Sequence, residues 1–174
     1  MGKGVTVWFT GLPCSGKTTI ADKLAQILRE RGKKVERLDG DIVRKGLTSD
    51  LGFSKEDRDK NIERVTFVAK LLTRNGVIVL ATFVSPYIER RRQTREEIGE
   101  YVEVYVKASV DECIKRDVKG MYKKALAGEI RNFTGVDDPY EAPPNPEVLV
   151  DTDNESEDES VEKVLDYLEK NGYL

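Results

Sequence analysis

The segment Gly11-Leu12-Pro13-Cys14-Ser15-Gly16-Lys17-Thr18 has the spacing G-x-x-x-x-G-K-S/T, and its flanks restrict the fold further than the motif itself. Val5–Thr10 before it is β-branched and aromatic, as a strand requires, and Ile20, Leu24, Ile27 and Leu28 after it share one helical face. A strand, a glycine loop and a helix in that order form a cradle for a nucleoside triphosphate. Glycines let backbone N–H groups turn inward around phosphate oxygens, and the helix dipole favours the anion. Lys17 then reaches the outer phosphates and the Thr18 hydroxyl ligates Mg²⁺.

At 174 residues the chain suits one domain, residues 1–174, able to bury most of its apolar surface without a metal or a disulfide. The formal net charge of −3 gives no general attraction to nucleic acid or to an anionic membrane, so neither is expected as a partner. Cys14 and Cys113 have no metal-ligand or redox spacing, which suits a reducing compartment. No apolar run approaches the ~18 residues of a membrane span and no signal peptide is evident, so a cytoplasmic protein is expected. With no histidine in the sequence, any general base must be a carboxylate, Lys, Tyr or Cys.

Along the chain, strand and helix signals alternate. The first helix runs from about Lys17 to Arg31 before Gly32, and Lys34–Leu38 reads as a second strand. That strand leads into Asp39-Gly40-Asp41, two carboxylates at a strand's carboxyl end, where open α/β sheets collect their ligands. The other reading of this tripeptide is an Asp-Gly turn with Asp41 capping a short helix. A polar stretch from Arg44 to Asn61 follows, and then Ile62, Val65, Ala69 and Leu72 mark a helix ending near Gly76. Val77–Ala81 is a continuous apolar run, as expected of a central parallel strand. Beyond it, Ser85 is either a helix N-cap or a substrate contact, and Pro86 opens the next helix. The arginines at 90, 91, 92 and 95 on that helix read as a solvated face.

Tyr101–Val106 is a fourth strand, and Ser109-Val110-Asp111-Glu112 has capping-box spacing. From Lys119 to Pro146 periodicity fails, and lysines, glycines, prolines, Tyr122 and Phe133 mix in what is expected to be a mobile, basic lid, with a disordered insert as its alternative. Val148–Val150 is a fifth strand, and Ser156 and Glu159 stand in capping-box spacing before the last helix.

The blocks GLPCSGKTT at 11–19, LDGDIVRKGL at 38–47, LGFSKEDRDKNIERV at 51–65, FVSPYIERR at 83–91 and KGMYKKALAGEIRNFTGVDDPYEAP at 119–143 together resemble the adenylyl-sulfate kinase family over nearly the whole chain. The resemblance implies a P-loop kinase of the α/β class, with a five-stranded parallel sheet flanked by helices, forming a homodimer. The reaction implied is transfer of the ATP γ-phosphoryl group to the 3′-hydroxyl of adenylyl sulfate. ATP would lie on Gly11, Leu12, Pro13, Cys14, Ser15, Gly16, Lys17, Thr18 and Thr19. Arg44, Arg58 and Asn61 resemble the residues that hold the acceptor's phosphosulfate, and Phe53 and Phe133 the pair that stacks on its adenine. Asp41 matches the acid near the acceptor hydroxyl and the Mg²⁺, and Ser85 a serine once viewed as a phosphoryl carrier. Four positions depart from the usual pattern: Ile42 for Asn, Lys45 for His or an aromatic, Lys60 for Glu, and Glu63 for Arg. The alternatives are a P-loop kinase of another small hydroxyl compound or nucleotide, and an inactive nucleotide-binding regulatory module.

Overall fold

The computed structural model describes residues 2–174. In chain order the elements are β1 (Val5–Thr10), α1 (Lys17–Glu30), β2 (Val35–Asp39), α2 (Gly40–Val43), α3 (Lys55–Arg74), β3 (Ile78–Thr82), α4 (Ile88–Ile98), β4 (Tyr101–Lys107), α5 (Val110–Arg116), α6 (Met121–Leu126), β5 (Val148–Asp151) and α7 (Glu157–Lys170). The five strands form one parallel sheet in the order β2-β3-β1-β4-β5. Parallel strands need crossovers, and helices supply them, so both sheet faces are covered.

The alternation in β1 divides the core in two. Val5, Val7 and Phe9 face α1 and α7, where they pack with Leu24, Leu28, Val164 and Leu168. Trp8 faces the other way, against Ile62 and Val65 of α3 and against Phe83 and Tyr101. Its ring stacks on Phe83 at 5.3 Å and on Tyr101 at 6.2 Å between centroids. Thr6 on the same face joins Thr73 of α3 through a 2.7 Å hydroxyl pair. A β1 buried on both faces must stand in the middle of the sheet, and its carboxyl end therefore delivers the glycine loop to the middle of one edge.

Four expectations change. The polar stretch after Arg44 is partly helical, because Ser54 caps α3 by accepting from the Asp57 N–H at 3.1 Å, so Arg58 and Asn61 ride on a helix. Ser109 caps α5, but the reciprocal half of the box is missing: the Ser109 N–H donates to Asp153 at 3.0 Å, while Glu112 faces Arg116 at 3.4 Å. The arginine run is not one solvated face, since Arg91 is 2% exposed. Its guanidinium donates to the carbonyls of Ser85 at 2.6 Å and Glu141 at 2.5 Å and faces Glu103 at 3.6 Å. The segment 119–146 is docked at several points: it holds α6, Tyr122 is fully buried, and the Tyr140 hydroxyl meets Thr10 at 2.8 Å. The capping box at Ser156 and Glu159 is complete.

Candidate active site

The loop after β1 closes around backbone conformations that few residues tolerate. Gly16 has φ +104° and Cys14 φ +63°. A Cβ on Gly11 would stand 2.4 Å from the Val106 carbonyl oxygen. Glycine at 11 is thus demanded by the passage of β4, and glycine at 16 by the left-handed turn that aims the first N–H groups of α1 at the loop's centre. The Lys17 amine is buried and donates to the carbonyls of Gly11 at 3.0 Å and Leu12 at 2.7 Å. Burial pulls its pKa down to about 8. Arg116 braces the loop from outside, donating to the carbonyls of Cys14 and Ser15 at 3.3 Å and to that of Thr152 at 2.9 Å.

Thr18 faces the end of β2. Its hydroxyl donates to Asp39 at 3.1 Å, and the same carboxylate accepts from Thr82 at 2.9 Å and from the Asp41 N–H at 2.9 Å. Burial pushes Asp39 up, but these three hydrogen bonds and the nearby Arg37 charge outweigh it and hold the carboxyl below its ordinary range. The cap of α2 is therefore Asp39, not Asp41. Asp41 sits in the first turn of α2, largely exposed, and pairs with Lys119 at the start of the lid segment. A Thr hydroxyl beside an ionised carboxylate fits Mg²⁺, a hard ion that keeps several waters and shares its ligands with phosphates. Among the described residues no cluster of three or more His, Cys, Asp or Glu side chains could cage a metal.

The residues expected to meet the acceptor lie on the other flank. Arg44 donates to the Gly52 carbonyl at 3.1 Å and lies 4.3 Å over the Phe53 ring, whose outer face is exposed. Burial lowers the Arg44 pKa, and the positive charge of Arg58 acts in the same direction. Arg58 donates to the Tyr87 hydroxyl at 2.9 Å and to Asp138. One turn further along α3, Asn61 is 4% exposed. Among the described residues, Arg58 Nε and Asn61 Oδ1 are buried without a hydrogen-bond partner. Phe133 sits edge-on to Tyr122 at 5.0 Å.

Ser85 is not an N-cap: Tyr87 precedes α4, and the Ser85 hydroxyl turns inward. It accepts from the Trp8 indole at 3.0 Å and meets the Thr10 hydroxyl at 3.2 Å, with φ at +41°. At 5% exposure, Ser85 ties β3 to β1. Lys60 and Glu63, two of the expected departures, pair with each other at 3.1 Å on the surface of α3.

Residue reasoning took Asp39 only as half of an acidic pair and missed Arg116 and Thr152. The signal for Asp39 was its place as the last residue of a strand, where it can meet both Thr18 and Thr82. Arg116 carried no signal for this role, because the loop carbonyls and Thr152 that it meets lie far away in sequence.

A family model described as "Adenylylsulphate kinase" matches residues 3–151. The chain is 59% identical over 172 residues to the adenylyl-sulfate kinase of Halothermothrix orenii, covering 99% of this chain and 93% of that one. The adenylyl-sulfate kinase of a Picosynechococcus strain is likewise 59% identical, with 99% of this chain and 97% of that one covered. Among solved structures, the Mycobacterium tuberculosis APS kinase CysC in complex with AMPPNP and APS superposes with a TM-score of 0.92 at 43% identity, covering 97% of this chain and 99% of that one. On the strength of its strand–loop–helix core, its paired acids and arginines, and these likenesses, the chain belongs to the adenylyl-sulfate kinase family.

Proposed function

We propose that the chain transfers the γ-phosphoryl group of ATP to the 3′-hydroxyl of adenylyl sulfate, giving 3′-phosphoadenylyl sulfate and ADP. The observation that carries this reading is the arrangement along one sheet edge. The phosphate loop with Lys17 and Thr18 meets Asp39 at the end of β2, Asp41 follows in the first turn of α2, and Arg44, just after α2, and Arg58 on α3 come next. Such an order matches a donor phosphate, a transfer point and a second anion in sequence.

Phosphoryl transfer leaves the protein mainly positioning and charge stabilisation to supply. Lys17 would neutralise outer phosphate oxygens, and the Gly11–Thr19 backbone would hold the α- and β-phosphates. Thr18 and Asp39, with Asp41 near the acceptor, would hold a magnesium–nucleotide complex. Mg²⁺ supplies charge neutralisation between the phosphates when bound. Asp41 would accept or orient the acceptor proton, and its pairing with Lys119 fits a site where cations approach from the lid. Arg44, Arg58 and Asn61 would grip the phosphosulfate, for which a planar guanidinium fork is suited. Phe53 and Phe133 would stack on the adenine, each contributing ~1–3 kcal/mol.

The working unit in this reading is one domain, residues 1–174, with a lid over about 119–146. It acts in the cytoplasm as a homodimer, for which Phe67, outward-facing on α3, offers an apolar contact. No described helix is long and apolar enough to cross a membrane. The test is an ATP-dependent assay with adenylyl sulfate beside a panel of small alcohols and nucleotides, with the phosphorylated position of the product identified. ADP release specific to adenylyl sulfate, with phosphate on the 3′-oxygen, is expected. Equal turnover of another acceptor would shift the assignment to a different kinase, and no turnover with any acceptor would leave a binding module.

A further inference from the structure

The two acceptor-side guanidinium groups differ in how their charge is met. Near Arg44, the Asp57 carboxylate belongs to the same flank and is already engaged by the Gly52 N–H at 2.7 Å. The carboxylate on Arg58 comes from across the cleft. Asp138 lies between α6 and β5, and its Oδ2 accepts from Arg58 Nη2 and from the Tyr87 hydroxyl at 3.3 Å. Both members of this pair are mostly enclosed, with side chains 15% and 19% exposed. Next to them, the buried Arg58 Nε and Asn61 Oδ1 are without partners among the described residues. The guanidinium thus has Nη2 held by Asp138 and Tyr87, Nη1 turned to the Thr134 hydroxyl at 3.5 Å, and Nε unspent.

We propose that Asp138 is an internal competitor for the acceptor anion, a carboxylate on the 119–146 segment that holds Arg58 until the acceptor's phosphosulfate displaces it. The inference rests on the acceptor-side reading of Arg58 given above. A carboxylate and a phosphosulfate oxyanion seek the same forked donors, so they compete for one guanidinium. Tethering makes the internal competitor strong, because its effective concentration is in the millimolar range or above. A small anion that offers only charge meets this competition alone. Adenylyl sulfate also brings an adenine for Phe53 and Phe133 and can displace the carboxylate.

Asp138 does not move by itself. Its carbonyl accepts from the Gly135 N–H at 2.8 Å, and its own N–H donates to the Phe133 carbonyl at 3.2 Å. Release of the carboxylate therefore frees the 133–138 turn as a unit and carries Phe133 with it. Anion capture at Arg58 and aromatic placement over the adenine become one event.

The experiment compares wild type with Asp138→Asn in adenylyl sulfate titrations, in ATP titrations, and in inhibition by inorganic sulfate. Expected for Asp138→Asn are a three- to tenfold lower Kd and KM for adenylyl sulfate, a similar strengthening of sulfate inhibition, and an ATP KM within about twofold of wild type. A carboxylate that merely orients Arg58 gives the opposite sign, so a raised or unchanged adenylyl sulfate Kd overturns the proposal. Arg58→Lys separates the two levels. If it leaves the adenylyl sulfate KM unchanged, the acceptor-side reading of Arg58 falls and this proposal with it. If it raises that KM while Asp138→Asn fails to lower it, only the role of Asp138 falls. Should Asp138→Asn not fold, Asp138→Ser removes the same charge in a smaller side chain and is read by the same signs.

Discussion

Lys17 must be charged to meet phosphate, yet it is enclosed where charge is disfavoured. In the protein without nucleotide its pKa is about 8, against an ordinary 10.5, with burial as the main cause. Two readouts of this one group then run in opposite directions. The ATP-side kcat/KM, which reports the free enzyme, falls as pH rises through about 8, because the amine loses its proton. Stability moves the other way: between about 8 and 10.5 the unfolded chain binds more protons at this site, so the penalty for burying the charge is relieved as pH rises. A pH profile of kcat/KM for ATP beside thermal midpoints for wild type and Lys17→Met checks both, and a flat kcat/KM profile to pH 9.5 would count against the assignment. Asp39 and Asp41 make a second residue-scale contrast. Asp39 holds Thr18, Thr82 and the α2 cap, whereas Asp41 is exposed and makes a surface pair of little consequence for stability. Asp39→Asn should therefore lower the thermal midpoint and raise the Mg²⁺ concentration needed for activity. Asp41→Asn should leave the midpoint nearly unchanged and reduce kcat by ~10²–10⁴-fold, the usual cost of losing one positioned proton acceptor. Near-normal kcat in Asp41→Asn would transfer the catalytic role to Asp39.

Among the elements, α3 links packing to the proposed acceptor site, since the helix that buries Ile62 and Val65 against Trp8 also carries Arg58 and Asn61. Its start depends on Ser54. Ser54→Ala should cost about 1 kcal/mol, a fall of roughly 2–4 °C in Tm for a chain of this size. Because fraying begins one turn before Arg58, KM should rise more for adenylyl sulfate than for ATP, and steady-state kinetics with each substrate varied in turn would measure it. The same helix marks where the sequence was hard to read. Lys55–Lys60 contains no apolar residue, so hydrophobic periodicity gave no sign of helix before Ile62, and the cap pairs Ser54 with Asp57 rather than with the Glu or Gln of a capping box. Arg91 was hidden for a related reason. Four arginines in a row of six positions look alike, and only the arrival of β4 beneath α4, bringing Glu103, turns one of them inward. By contrast β1, α1 and the glycine loop were legible to within a residue, because a strand of β-branched residues, a helical stripe and a fixed spacing each constrain the same short stretch.

For the whole molecule, the strand–helix alternation and the family blocks together point to a five-stranded parallel sheet, and the segment proposed as a lid stands out as a loss of pattern. The docking of that lid was not visible, because it rests on pairs far apart in sequence: Thr10 with Tyr140, Arg58 with Asp138, Asp41 with Lys119. The central place of β1 has a consequence for how the protein is made. β1 leaves the ribosome before either of its sheet neighbours, Ile78–Thr82 and Tyr101–Tyr105. At a synthesis rate of about 5–20 residues per second, it waits on the order of 5–20 seconds for its second flank. Through that interval Val5–Thr10, buried on both faces in the folded protein and with two unpaired edges, is exposed to wrong pairing. The stretch that organises the finished site is thus also one for which a cell's chaperones have reason to wait.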